Sequence, residues 1–163
     1  HQTIDALRAK YPEVLRVVHR QRPLALHPHA KDAAKIALAA ARQNKFDELH
    51  AKLFELKGAD LPQLEKVAID MGLDAERLAA DLADPEIAQM IREDEALADR
   101  FGTRATPAFF VNGRFLGGAQ SLEVFSSLID EELTKAKARV DSGTAPADVY
   151  EAIRSEAEKE VRD

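Results

Sequence analysis

Five histidines, two acidic triplets and one threonine–proline step are the parts of this 163-residue chain with chemistry to offer. His27 and His29 flank Pro28, and His50 lies further along. Imidazoles are common zinc ligands, but no carboxylate or third histidine stands at a suitable local spacing, so no metal site is expected. His29 is expected in the first turn of a helix instead. Glu93-Asp94-Glu95 and Asp130-Glu131-Glu132 could supply acid–base carboxylates. On amphipathic helices such runs are more often solvated faces, and that is the expectation here, as it is for Asp99 and Arg100. His19 falls in an apolar run and is expected to be partly buried and hydrogen-bonded. The glycines from Gly113 to Gly118 match neither the phosphate-loop nor the dinucleotide-binding spacing, and no cofactor is called for. Thr106-Pro107 directly precedes an apolar run. On residue types alone an ordinary trans loop is the default, since only about 5–6% of X–Pro bonds are cis.

Cysteine is absent, so these residues contain no thiolate nucleophile, disulfide or Cys-ligated zinc. Apolar residues make up 45% and charged residues 32%, a globular composition. The formal net charge of −6 argues against nucleic acid or an anionic membrane as the main partner, because both select a basic surface. No apolar run approaches the ~18 residues of a membrane-spanning helix. The chain starts at His1 with no signal-peptide pattern, as a processed chain or a piece of a longer one would.

These residues need elements to position them. Residues 3–10 read as a helix, ended by Tyr11-Pro12. Val14, Leu15, Val17 and Val18 are dense and β-branched, which predicts a largely buried strand over about 14–20. About 80 helical residues follow. Their landmarks are an alanine stripe from Ala30 to Ala41, a stripe through Phe46, Leu49 and Leu53, and caps at Asp60, Asp74 and Asp84. Ala108–Val111 then reads as a strand. Asn112-Gly113 is the strongest short hairpin signal, because both central residues of a type I′ turn need positive φ. Arg114-Phe115-Leu116 returns, and Ser121 caps a long last helix. Residues 142–146 form a linker, and 147–161 a charged helix with a thin apolar stripe.

Three short strands for so many helices make an incomplete sheet. The opening helix has the look of the second half of a βαβ unit, so a further strand ahead of residue 1 is expected. Without it, backbone groups would be left unpaired at roughly 1–3 kcal/mol each.

The stretch Gly102-Thr103-Arg104-Ala105-Thr106-Pro107-Ala108-Phe109-Phe110-Val111-Asn112-Gly113 resembles the cis-proline segment of DsbA-type thioredoxin-fold thiol–disulfide oxidoreductases. Arg22-Pro23-Leu24 with His27-Pro28-His29-Ala30, Asn44-Lys45-Phe46 through Phe54, Gly117-Gly118-Ala119-Gln120 and Ile129 to Leu133 extend the similarity, in order, over about residues 1–135. The resemblance implies an α/β thioredoxin-like domain over 1–140, with a helical insertion at 28–102, its first core strand absent from these residues, and a linker and C-terminal helix at 141–163. It also implies a cis bond at Thr106-Pro107. Ala105, Thr106 and Pro107 would then bind substrate, with the Thr106 main chain free to pair with an extended peptide. The family's Cys-x-x-Cys has no counterpart here, so no catalytic residue is carried over and the cysteines are expected upstream of residue 1.

The expected function is thiol–disulfide exchange in the periplasm or cell envelope. Expected partners are extended or unfolded thiol-containing polypeptides and a redox partner protein, with no nucleic acid and no membrane insertion. The alternative is a redox-inactive thioredoxin-like domain that binds peptides or serves a structural role.

Overall fold

Asn112 and Gly113 take φ of 47° and 87°, and this left-handed pair folds the chain back on itself. The resulting antiparallel hairpin, β1 (Ala108–Val111) with β2 (Arg114–Gly117), pairs Phe109 with Leu116 and Phe110 with Phe115. The computed structural model describes residues 2–56 and 58–156. Within it the chain divides into two compact units, His1–Val17 with Arg100–Asp163, and Val18–Asp99.

The first unit holds the hairpin and the helices α1 (Gln2–Lys10), α7 (Leu122–Asp141) and α8 (Val149–Glu156), with a single 3-10 turn at Pro146–Asp148. Strand side chains alternate across the pleat. Phe109, Val111 and Leu116 therefore face one way, onto a core of Leu7, Tyr11, Phe125 and Ile129 contributed by α1 and α7. Phe109 and Phe125 meet edge to face at 4.8 Å. The Tyr11 hydroxyl donates to Asp130 at 2.8 Å and ties the end of α1 to α7. The Ser121 cap begins α7 as expected, its Oγ accepting from the Val124 N–H. The expected C-terminal helix is present as α8, and its predicted residues 157–161 lie outside the described residues. A bidentate Arg139–Glu156 pair and Arg16 over the Tyr150 ring hold α8, which has no buried residue.

The second unit is all helix: α2 (Ala30–Arg42), α3 (Phe46–Leu53), α4 (Leu61–Asp70), α5 (Ala75–Ala83) and α6 (Pro85–Arg100), which runs one residue beyond it. Small side chains let α2 sit at the centre, touching α3, α4 and α5, with Ile36, Ala39 and Ala40 fully enclosed. The caps read from the sequence are formed: the Asp60 and Gln63 box, Asp74 on the Arg77 N–H, and Asp84 on the Glu86 N–H. At the end of α2, Arg42 reaches Asp81 (2.8 Å), Asp84 (2.6 Å) and Glu86 (2.5 Å), joining three helices through one guanidinium.

The strand predicted over 14–20 is not formed. Among the described residues the only sheet is the β1–β2 hairpin. The segment is still strand-like in its exposure. Leu15, Val17 and His19 are half-buried, while Arg16, Val18 and Arg20 between them are exposed. A strand needs a neighbour's main chain to complete its ladder, and among the described residues none pairs with this segment. Just beyond it, side chains of α6 hold the chain. Asp94 on α6 accepts from the Gln21 N–H (2.7 Å) and from Arg20 (3.0 Å), and Arg22 bonds Asp99 at 2.6 Å.

Ile36 is the largest enclosed side chain on the central helix. Ile36→Ala is expected to lower the unfolding free energy of the chain by about 2–5 kcal/mol, the range for truncating a buried isoleucine. Urea denaturation monitored by far-UV circular dichroism would measure it.

Candidate functional site

The segment ahead of β1 is built by a change of direction. Helix α6 stops at Arg100, Gly102 takes φ of 63°, and the chain bends through 103–107 before entering the hairpin. Only one side chain of this bend is buried, that of Thr103, and its Oγ1 has no hydrogen-bond partner. A buried hydroxyl left so costs about 1–3 kcal/mol, an unusual feature for a native interior. Arg104, Ala105, Thr106 and Pro107 are all exposed. The Thr106–Pro107 peptide bond is cis, as the resemblance implied and contrary to the default for the dipeptide alone. The Pro107 carbonyl accepts from the Gly118 N–H at 3.0 Å, one rung beyond the Ala108–Gly117 pair. The exposed dipeptide is thus fixed to the hairpin on one side.

The hairpin is held in turn by α7. Arg114 donates to Glu131 (2.6 Å) and Glu132 (3.3 Å), and Lys135 also reaches Glu132 at 2.6 Å. Burial pushes the Glu132 carboxyl up, but the hydrogen bonds from Lys135 and Arg114 pull it further the other way, so it lies below the ordinary range. The expectation of a solvated acidic face at Asp130-Glu131-Glu132 holds for Asp130 and Glu131, which are exposed, and is corrected for Glu132. Glu132 is buried because α7 packs against both β2 and α1, and Asp130 is the acceptor of Tyr11. In Glu93-Asp94-Glu95 the correction likewise concerns one residue: Glu93 is exposed, whereas Asp94 is buried and accepts from the Gln21 N–H. Asp99, expected as charged surface, is exposed and paired to Arg22.

The opposite face of the hairpin is aromatic. Phe101, Phe110 and Phe115 form a chain of rings with centroids 5.4 and 5.3 Å apart, and Phe110 and Phe115 remain 44% and 57% exposed. The run Ala108–Val111 is apolar throughout, and nothing in its residue types singles out Phe110 for exposure. Only the alternation of a two-stranded ribbon does so.

The histidines separate. His29 caps α2 without a side-chain bond to the helix and lies 3.6 Å from Asp32. His50 is remote from that pair in role: its ring stacks on Phe46 (5.1 Å), meets Phe54 edge-on, and lies 4.8 Å from His19. His19 is half-buried in this four-ring cluster rather than on a strand. Among the described residues no three metal-ligating side chains converge, and no helix is long and apolar enough to cross a membrane.

A small antiparallel hairpin with helices packed on one face is compatible with a thioredoxin-like α/β domain. Residues 1–130 match the DSBA-like thioredoxin domain, and the chain belongs to that family. It is also similar to longer proteins. It is 36% identical over 151 residues to Na(+)/H(+) antiporter NhaA 3 of Salinispora tropica, covering 90% of this chain and 23% of the antiporter. It is 36% identical over 127 residues to Na(+)/H(+) antiporter NhaA of Herminiimonas arsenicoxydans, covering 77% of this chain and 20% of that protein. The chain thus spans less than a quarter of the length of these relatives. No solved structure matches it.

The lowered Glu132 carboxyl carries a sign. A group held below its unfolded pKa adds stability above about pH 4.5, and that contribution is lost as pH falls through the folded value. Glu132→Gln is expected to lower the urea midpoint at pH 7 and to lose less of it than the native chain between pH 5 and about pH 3. Denaturation midpoints across that window check it.

Proposed function

We propose that this chain is the body of a thiol–disulfide oxidoreductase of DsbA type, whose first core strand and Cys-x-x-Cys turn precede residue 1. Membership of the DSBA-like family makes the reaction class the leading reading. The observation that carries the upstream segment is the unfinished sheet. β1 has a strand partner on one edge only among the described residues, and residues 15–20 alternate in exposure like a strand yet join no ladder. The unpartnered Thr103 hydroxyl supports the same conclusion, since an added strand or turn would bring main-chain partners to it. In this reading the block 28–102 is a helical insertion within the 1–140 domain.

The chemistry would run through the upstream pair. A thiolate of the pair attacks a substrate disulfide, or a substrate thiolate attacks the pair's disulfide. Either way a mixed disulfide forms, one sulfur leaves as a thiolate, and a second thiolate resolves the intermediate. Ala105, Thr106 and Pro107 would hold the substrate main chain beside the sulfurs, which their exposure permits. The substrates would be extended or unfolded thiol-containing polypeptides, with a redox partner protein to reset the pair. The setting would be the cell envelope, where disulfides persist. The names of the relatives suggest a more particular placement, as an extramembrane domain working beside a sodium/proton antiporter.

One observation favours a second reading. The 163 residues contain no cysteine, and a domain of this family that had lost its redox pair would serve as a peptide-binding or structural module through the same exposed edge.

The full-length protein decides between them. It is expected to carry two cysteines ahead of residue 1 and to catalyse oxidation or reduction of a cysteine-containing peptide, followed by thiol quantification. Replacing either upstream cysteine by serine should abolish turnover. A full-length protein without such a pair, or with the pair but no exchange, overturns the enzymatic reading.

A further inference from the structure

We infer that Arg104 is a specificity-determining residue of the exposed edge, selecting extended polypeptides that carry a carboxylate within about two residues of the position held by Thr106. The inference rests on the peptide-binding reading of Ala105-Thr106-Pro107 above, and adds to it the charge of the preferred ligand.

The argument starts from how arginine is used in this chain. Arg20, Arg22, Arg42, Arg114, Arg139 and Arg154 each hold a carboxylate, at 3.0 Å or closer. The other described arginines are also engaged, Arg77 on the Arg42 carbonyl, Arg92 on Gln89 and Arg16 over a tyrosine ring among them. Arg104 is the exception among the described residues: it is exposed and makes no ion pair, hydrogen bond or ring contact. A chain with 29 acidic residues against 23 basic ones leaves few cations without a partner. This one stands two residues ahead of Thr106, in the run 104–107 whose residues are all exposed.

The chemistry of the group fixes what it would select. A guanidinium offers its N–H donors in a planar fork that matches a carboxylate with two parallel bonds. Two residues of extended chain span roughly 7 Å. A Glu or Asp flanking the ligand residue that pairs with Thr106 therefore falls within reach of Arg104. A lysine there meets a like charge. The pair would be solvent-exposed, so the preference is modest and screened by salt.

The test uses the full-length protein, labelled with 15N, and two synthetic peptides with serine at the reacting position. The peptides differ only in a Glu or a Lys beside that serine. Titration followed by amide shifts is expected to give about two- to five-fold tighter binding of the Glu peptide at low ionic strength. The difference should close at about 1 M salt, where screening acts within a few ångströms. Arg104→Glu should reverse the order, and Arg104→Lys should keep it with a smaller margin. Equal affinities, an order indifferent to residue 104, or binding of neither peptide overturns the inference. Disulfide exchange by the native protein on an uncharged dithiol reports the oxidoreductase reading separately. If that exchange fails while the peptide order follows residue 104, the enzymatic reading falls and this one stands. Exchange with an order indifferent to residue 104 overturns this inference alone.

Discussion

A main chain drawn out as a strand exposes donors and acceptors along both edges, and each one shut away from water needs a partner. That demand organises the first unit of this protein. The hairpin satisfies β1 on the β2 side, and the rung from Gly118 to the Pro107 carbonyl carries the pairing to the edge of the exposed dipeptide. In the second unit a side chain, not a strand, meets the main chain just after residue 20. Asp94, buried on α6, takes the Gln21 N–H, and Arg22 is clamped to Asp99. The chain keeps the in-and-out alternation of a strand without its ladder.

The helical unit obeys a different constraint. Its centre is a helix rich in alanine, so neighbours approach closely and α2 is enclosed by α3, α4 and α5. Close packing of this kind around α2 leaves little room for polar groups, and a charged cluster sits at its end. Arg42 does there what the apolar side chains do within, drawing the end of α2, the end of α5 and the start of α6 together. Asp84 serves two masters at that point. The Glu86 N–H and then Arg42 hold its carboxyl below the usual range, so it stays charged as both helix cap and ion-pair partner. Capping and packing support one another, as expected where local and global preferences agree.

Much of the candidate site could be read before the fold was known. Asn112-Gly113 gave the hairpin, Ser121 the start of the last helix, and the motif around Pro107 the cis bond, through its resemblance to a family rather than through the dipeptide's own preference. What escaped were the features that depend on two elements meeting. Glu132 and Asp94 sit in acidic runs that look solvated in isolation, and each is buried by a neighbour distant in sequence. Phe110 looks like core and faces solvent, because the ribbon has one helix-covered face. Thr103 stands apart in burying a hydroxyl without a partner, and Arg104 in being the described arginine without one, which no residue type announces.

By itself the sequence determined the local grammar: which residues cap helices, where glycine and asparagine turn the chain, and which family the ordered motifs belong to. Those outcomes depend on φ, on side chains reaching their own backbone, and on periodicity, all within a few residues. Tertiary structure alone decided whether residues 14–20 became a strand, which acids were buried and which described arginine was left unpaired. Each of those outcomes is set by a partner far along the chain, and a pattern of residue types does not specify which distant main chain or side chain arrives.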